Sequence, residues 1–137
     1  MMKPIVHEPM FLAMRSEPAT KEDLQTAQDL LDTLIAHKDG CVGMAANMIG
    51  VRKRIIVFDN DGEYLTMFNP EIMRCSGAYE TEESCLSLQG GARKCKRFRV
   101  IKVQWQDAEF RTRIKTFSDW QAQIIQHEID HCNGVLI

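Results

Sequence analysis

Near the end of the chain stands His127-Glu128-Ile129-Asp130-His131, an HExxH pattern, and no other feature constrains the fold as much. On a helix, residues four apart project from one face about a turn apart. Two imidazoles placed that way can reach one metal ion, with Glu128 beside the first as general base toward a metal-bound water. The flanking residues predict the helix. Trp120, Ile124, His127 and His131 recur at helical spacing, and Ser118 with Gln121 matches a capping box. A catalytic metal site needs a third protein ligand and an open position. Only six residues, CNGVLI, follow His131, and the first of them, Cys132, is rotated about a quarter turn from it. The third ligand is therefore expected upstream, and the chain must fold back onto its last helix. By residue type the candidates are Cys41, Cys75, Cys85, Cys95, His7, His37 and the acidic side chains. Two histidines on an apolar stripe also suit core positions bonded to backbone carbonyls, but Glu128 and Asp130 would then need burial partners of their own. Asp130 suits orienting an imidazole from outside the ligand set.

A chain of 137 residues, 45% of them hydrophobic and 26% charged, reads as one globular domain spanning 1–137. Such a chain buries roughly 68% of its unfolded surface and needs no staples. Lys plus Arg number 17 and Asp plus Glu 19, so the net charge is −2 and no basic field attracts nucleic acid or a membrane surface. The run Arg93-Lys94-Cys95-Lys96-Arg97 reads as a solvated face with no nucleic-acid role. Five cysteines at uneven spacing do not form a disulfide framework; Cys41, Cys75 and Cys132 read as small buried hydrophobes. The first 18 residues lack the continuous apolar stretch of a signal peptide, and no window approaches a membrane span. A reducing, cytoplasmic setting follows.

Residues 20–38 predict a helix, capped by Thr20 with Asp23 as its acidic partner, with Leu24, Ala27, Leu31, Leu34 and Ile35 on its apolar face. CVGMAANMIG, small and punctuated by glycine, predicts a tight loop or a close backbone approach. RIIVF (54–58) predicts a buried strand, Asn60-Asp61-Gly62 a hairpin turn, and YLTMF (64–68) the returning strand. IMRCSGAYE is a weaker strand signal. FRVIKVQW (98–105) and FRTRIKTF (110–117) predict two more strands, with Phe110, Thr112, Ile114 and Thr116 sharing one face. Strands between two helices give an α+β class.

Three blocks in order resemble the peptide deformylase family, whose pattern is G-x-G-x-A-A-x-Q, then E-G-C-L-S, then H-E-x-D-H. Here they read CVGMAANM (41–48), ESCLS (83–87) and HEIDH (127–131), and HxNGVLI at the end is also family-like. The resemblance implies antiparallel or mixed strands packed around a metal-bearing C-terminal helix, with one N-terminal helix. It implies Cys85 as third ligand beside His127 and His131, holding one divalent ion, foremost Fe(II), with Zn, Ni or Co as alternatives. The implied reaction removes the N-formyl group from N-formylmethionyl nascent peptides through a metal-bound hydroxide, with Glu128 as general acid and base. The oxyanion would be met by the N–H of Leu86 and by the amide of the loop Gln. The peptide would lie extended against Gly43, Met44 and Ser84, its methionine side chain among Glu83, Met44, Ile124 and the His127 ring. The C-terminal extension that some longer members use at the ribosome has no counterpart in these residues, which leaves ribosome contact open.

The chain departs from that pattern on the substrate side. Met48 stands where the loop Gln is expected, and a thioether donates no hydrogen bond. Losing one oxyanion donor typically costs about 10² to 10³ in turnover. Cys41 and Ser84 replace two glycines of the pattern, and Ser84 adds a side chain at the edge where substrate would pair. Reduced turnover is the expectation. The alternative reading is a weak or silent paralogue that keeps the metal and binds a peptide or another partner.

Overall fold

A five-stranded sheet runs in the order β1-β2-β3-β4-β5, with every neighbouring pair antiparallel. Its strands are β1 (Gly43–Ala45), β2 (Ile55–Asn60), β3 (Glu63–Cys85), β4 (Leu88–Gln106) and β5 (Thr112–Ser118). The helices are α1 (Pro9–Leu12), α2 (Leu24–Ala36) and α3 (Asp119–Cys132). The structure is a computed structural model and describes residues 1–88 and 91–137; the other two fall within β4.

Strand β2 explains why its sequence is an unbroken apolar run rather than an alternating one. Ile56 and Phe58 pack with Ile125 and Ile129 of α3, while Ile55 and Val57 pack with Leu30 and Leu34 of α2. A strand covered on both faces has no polar side to present. The hairpin turn also forms as its residues dictate: Asp61 and Gly62 both take positive φ, 56° and 99°, as a two-residue type I′ loop requires. Farther along, β3 and β4 form one long hairpin, with register shifts between Phe68 and Glu71 and between Ile72 and Arg74. Its far end carries the turn Leu86-Ser87, with Cys85 paired to Leu88. Along this arm Glu80 faces Lys96, Glu82 faces Lys94 and Glu83 faces Arg93, so the basic run is matched by an acidic one.

Several sequence expectations need correcting. The predicted N-terminal helix begins with a 3₁₀ turn, Lys21–Asp23, before α2 proper; its cap does form, with Thr20 N donating to Asp23 Oδ2 at 2.8 Å. The predicted capping box at Ser118 does not form: the Ser118 side chain makes no capping bond, and Asp119 takes a positive φ of 53°. Thr112, Ile114 and Thr116 look away from the core, with Ile114 54% exposed, and Phe117 on the other face is buried; Phe110 lies ahead of β5 and packs onto the second core cluster, its ring centroid 4.9 Å from that of Phe68. Cys132 is buried as expected, Cys41 is half-buried, and Cys75 lies exposed. Arg97, read as part of a solvated run, is only 4% exposed. No described helix is long and apolar enough to cross a membrane.

Candidate metal centre and cavity

The last helix sits in the middle of the molecule, buried on nearly every side from Ile124 to Cys132 except at Asp130. It therefore presents polar groups to the interior, and each must find a partner there. The hairpin tip delivers Cys85 to it. Among the described residues, Cys85, His127 and His131 place their ligand atoms within 4.8 Å of one another. An ion held at about 2.0–2.3 Å from each donor would draw such atoms somewhat inside that limit.

The two imidazoles are held differently. Nδ1 of His127 lies 2.7 Å from Glu83 Oε1, and a carboxylate only accepts, so Nδ1 carries a proton. Its Nε2 faces Nε2 of His131 at 3.0 Å. Burial disfavours a charge on His127, but bonds to Cys85 and Glu83 and the neighbouring carboxylate of Glu128 outweigh it and push the pKa up to about 10. Burial and the charges of His127 and Arg97 push His131 down to about 3, so its ring stays neutral. His131 can thus accept a proton that His127 holds at Nε2. A cation drawn toward Cys85 would take that proton's place, which is how metal binding to imidazole and thiol releases protons. The donor set of one thiol and two imidazoles, backed by a carboxylate on the first ring, suits a divalent transition ion.

Glu128 shares the cavity wall. Its Oε1 is buried and has no hydrogen-bond partner among the described residues. Burial pushes its pKa up to about 7, against the opposing charge of His127. A carboxyl poised near neutrality suits both taking and giving a proton. Strand β1 crosses directly over it. A Cβ on Gly43 would come within 2.9 Å of Ile124 Cγ2 and 3.0 Å of Glu128 Oε2, so only glycine lets the backbone approach this closely. That is the close approach the glycine-punctuated loop predicted.

Arg97 and Gln123 are the residues sequence reasoning missed. Arg97 Nη2 and Nε bond Glu83 at 2.7 and 3.0 Å, and Nη1 bonds Asp130 at 2.7 Å. Gln123 Nε2 adds a bond to Glu83 Oε2 at 2.9 Å. Burial works against the Glu83 charge, yet bonds from His127, Arg97 and Gln123 prevail and hold its pKa down at about 2. Glu83 was expected to line the pocket for a methionine side chain. It does border the cavity, but its carboxylate is spent on this network. The signal available in the sequence was only the alternation of β4, which puts Arg97 on the same side as the buried Ile101 and Val103.

A cavity of about 380 Å³ opens beside the cluster. Gly43, Met48, Ser84, Leu86, Ile124 and Glu128 all border it, as do Cys41, Trp120 and Gln123. Met44 does not: its side chain is fully buried in the second core cluster, beside α2. Met48 is likewise packed into that cluster, 1% exposed, while touching the cavity. Strand β1 is the sheet's first strand, and among the described residues no strand pairs with its outer edge. Asp59 N donates to Val42 O at 2.8 Å, so Gly43 directs its own N–H and C=O toward that edge. There Cys41 Sγ donates to Gly43 O at 3.0 Å.

A thiol and two imidazoles converging in a cavity, with a buried acid beside them, define the site class of a mononuclear metallohydrolase. Comparison with known proteins narrows the class. The model of the polypeptide deformylase family matches residues 2–137, and the chain belongs to that family. It is 50% identical over 137 residues to a peptide deformylase of Clostridium beijerinckii, with both chains fully covered. The crystal structure of peptide deformylase from Thermotoga maritima superposes with a TM-score of 0.89 at 33% identity, covering 99% of this chain and 95% of that one. A Met-ala-ser bound peptide deformylase from Acinetobacter baumannii superposes with a TM-score of 0.86 at 26% identity, covering 99% and 97%.

Proposed function

We propose that this protein is a metal-dependent hydrolase that removes the formyl group from N-formylmethionyl peptides. The observation that carries the reading is the convergence of Cys85, His127 and His131 beside the buried carboxylate of Glu128, in a cavity bordered by the sheet's first strand. Those three side chains would hold one divalent ion, Fe(II) foremost, with Zn, Ni or Co as alternatives. When bound, the ion would acidify a water and polarise the formyl carbonyl.

The chain's own groups do the rest. Glu128 accepts the proton of the attacking water and passes it to the leaving nitrogen, a task its raised pKa suits. Glu83 keeps the His127 ring turned so that Nδ1–H is spent outward and Nε2 faces the ion. The backbone N–H of Leu86, in the hairpin turn beside Cys85 and on the cavity border, would meet the developing oxyanion. An extended peptide adds to the outer edge of β1 at Gly43, beside Met44, facing Ser84 across the cavity. Its first side chain enters beside Ile124 and the His127 ring. The Met-ala-ser bound relative supports a peptide in this cavity. Five free thiols support work in a reducing cytoplasm.

Anaerobic purification, metal analysis and formate release from a formyl-methionyl peptide test the proposal together. About one metal per chain and measurable turnover are expected. Glu128→Ala should lower that turnover by about 10² to 10⁴. Less than half a metal per chain, or turnover indifferent to Glu128→Ala, would overturn it.

A further inference from the structure

We propose that Gln123 is a positioning residue that ties the wall of the cavity to the orientation of His127. The inference deepens the deformylase reading and rests on it only for the identity of the substrate. Trp120, Gln123, Ile124 and His127 follow one another at spacings of three, one and three along α3, which is a single helical stripe, and all four border the cavity. In this stripe Gln123 borders the cavity while its amide is engaged at both ends. Nε2 donates to Glu83 Oε2 at 2.9 Å, and Oε1 accepts from Tyr79 Oη at 3.4 Å. The partners fix which end is which, since a carboxylate only accepts and the phenol has a proton to give. Tyr79 is itself held from above by the Arg99 guanidinium, 4.9 Å from its ring centroid.

The other oxygen of the same Glu83 carboxylate receives Nδ1–H of His127 at 2.7 Å. Gln123 thus reaches the ring through one intervening group, from the cavity side, while Arg97 holds the carboxylate from β4. A side chain pressing on the Gln123 stem bears on the carboxylate that sets the imidazole. Groups that orient a metal-binding histidine from outside typically change metal affinity or activity by about 10 to 100-fold when removed. A glutamine in this stripe is therefore more than a polar intrusion in an apolar wall.

Gln123→Leu keeps the stem and removes both polar atoms; Gln123→Met is the second variant should the first fold poorly. Trp120→Leu is the control, altering the same wall without a bond to Glu83. The probe is cobalt(II), with affinity read by chelator competition and ligand geometry by visible absorption. Alongside it, kcat and KM are measured on formyl-methionyl and formyl-alanyl peptides. For Gln123→Leu we expect cobalt affinity about tenfold weaker, a shifted absorption band, and a lower kcat with KM for the methionyl peptide changed less than about twofold. Trp120→Leu should raise KM and leave cobalt affinity unchanged. Cobalt affinity within twofold of the parent and an unshifted band in both Gln123 variants would overturn the proposal. Weaker cobalt binding without formate release from any peptide, parent included, would uphold the positioning role and sink the substrate assignment instead.

Discussion

The two walls of the cavity are built on opposite principles. The wall formed by α3 and the hairpin is a closed polar network. Glu83, Arg97, Asp130, Gln123 and His127 bond one another at 2.7–3.0 Å, and Glu83, Arg97 and His127 are buried. The wall formed by β1 and the 3₁₀ turn Ala46–Ile49 after it is mainly apolar packing, with Met44, Ala46 and Met48 inserted into the α2 cluster; its side-chain bonds are the thiol bond at Gly43 and one from buried Asn47 Nδ2 to His131 O at 2.9 Å. The lesson is about tolerance. A buried ionic network loses heavily when any one member goes, because the partners stay buried and unpaired. An apolar wall accepts changes of similar volume at low cost. Of this chain's three departures from the deformylase pattern, Cys41 and Met48 fall on the tolerant wall, while Ser84 falls on the hairpin, between Glu83 and Cys85.

The largest expected effect tests the network wall. Arg97→Met leaves Glu83 and Asp130 without their cation, and breaking a buried pair from one side costs about 3–5 kcal/mol. Denaturant unfolding of the parent and variant reads it directly. A loss under about 1 kcal/mol would mean the two walls are equally forgiving. Next in size is a gain on the other wall. Met48→Gln puts a donor at the cavity surface, and restoring one oxyanion donor should raise kcat by about 10 to 10³. If kcat stays put, Met48 is not what limits the rate.

Much of this contrast was legible before the structure, and the reasons differ by wall. HEIDH could be read because helical spacing converts two positions directly into a shared face. The buried strand β2 could be read because its apolar run had no alternation to mislead. Arg97 could not, because a basic residue inside a basic run carries the signal of solvent. Only the pairing with β3 and the crossing of α3 bury it. The role of Glu83 was missed for a related reason: a carboxylate beside a cavity looks like pocket lining until its partners are known. The Met44 side chain was assigned to the methionine pocket by resemblance, and a three-residue strand gives too little periodicity to say which way it points. The failed cap at Ser118 has a local cause, since the positive φ of Asp119 bends the entry to α3 away from capping geometry.

A gentler probe of the network is acid. The Glu83 carboxylate titrates near 2 in the folded chain and near its ordinary 4.5 when unfolded. A depressed pKa of this kind contributes stability in full above about pH 4.5, and that contribution fades as the pH falls toward 2. Arg97→Met removes one of the two cations holding Glu83, the other being His127, so the fall in stability over this window should be steeper in the parent than in the variant. Urea midpoints at pH 6, 4.5 and 3 would measure both slopes, and parallel slopes would remove Glu83 from the account of acid lability.

The smallest effect belongs to Cys41. Its Sγ–H donates to Gly43 O at 3.0 Å, and burial pushes its pKa up to about 12, so it remains a protonated, weak donor at any ordinary pH. Cys41→Ala removes that bond and little volume, at a site half-open to the cavity. Stability should change by less than about 1 kcal/mol. The carbonyl it releases points to the edge where a peptide would pair, so KM should fall slightly or hold rather than rise. A rise in KM of tenfold, or a stability loss near that of Arg97→Met, would place Cys41 in a network of its own. The β1 wall would then be no more tolerant than the one it faces.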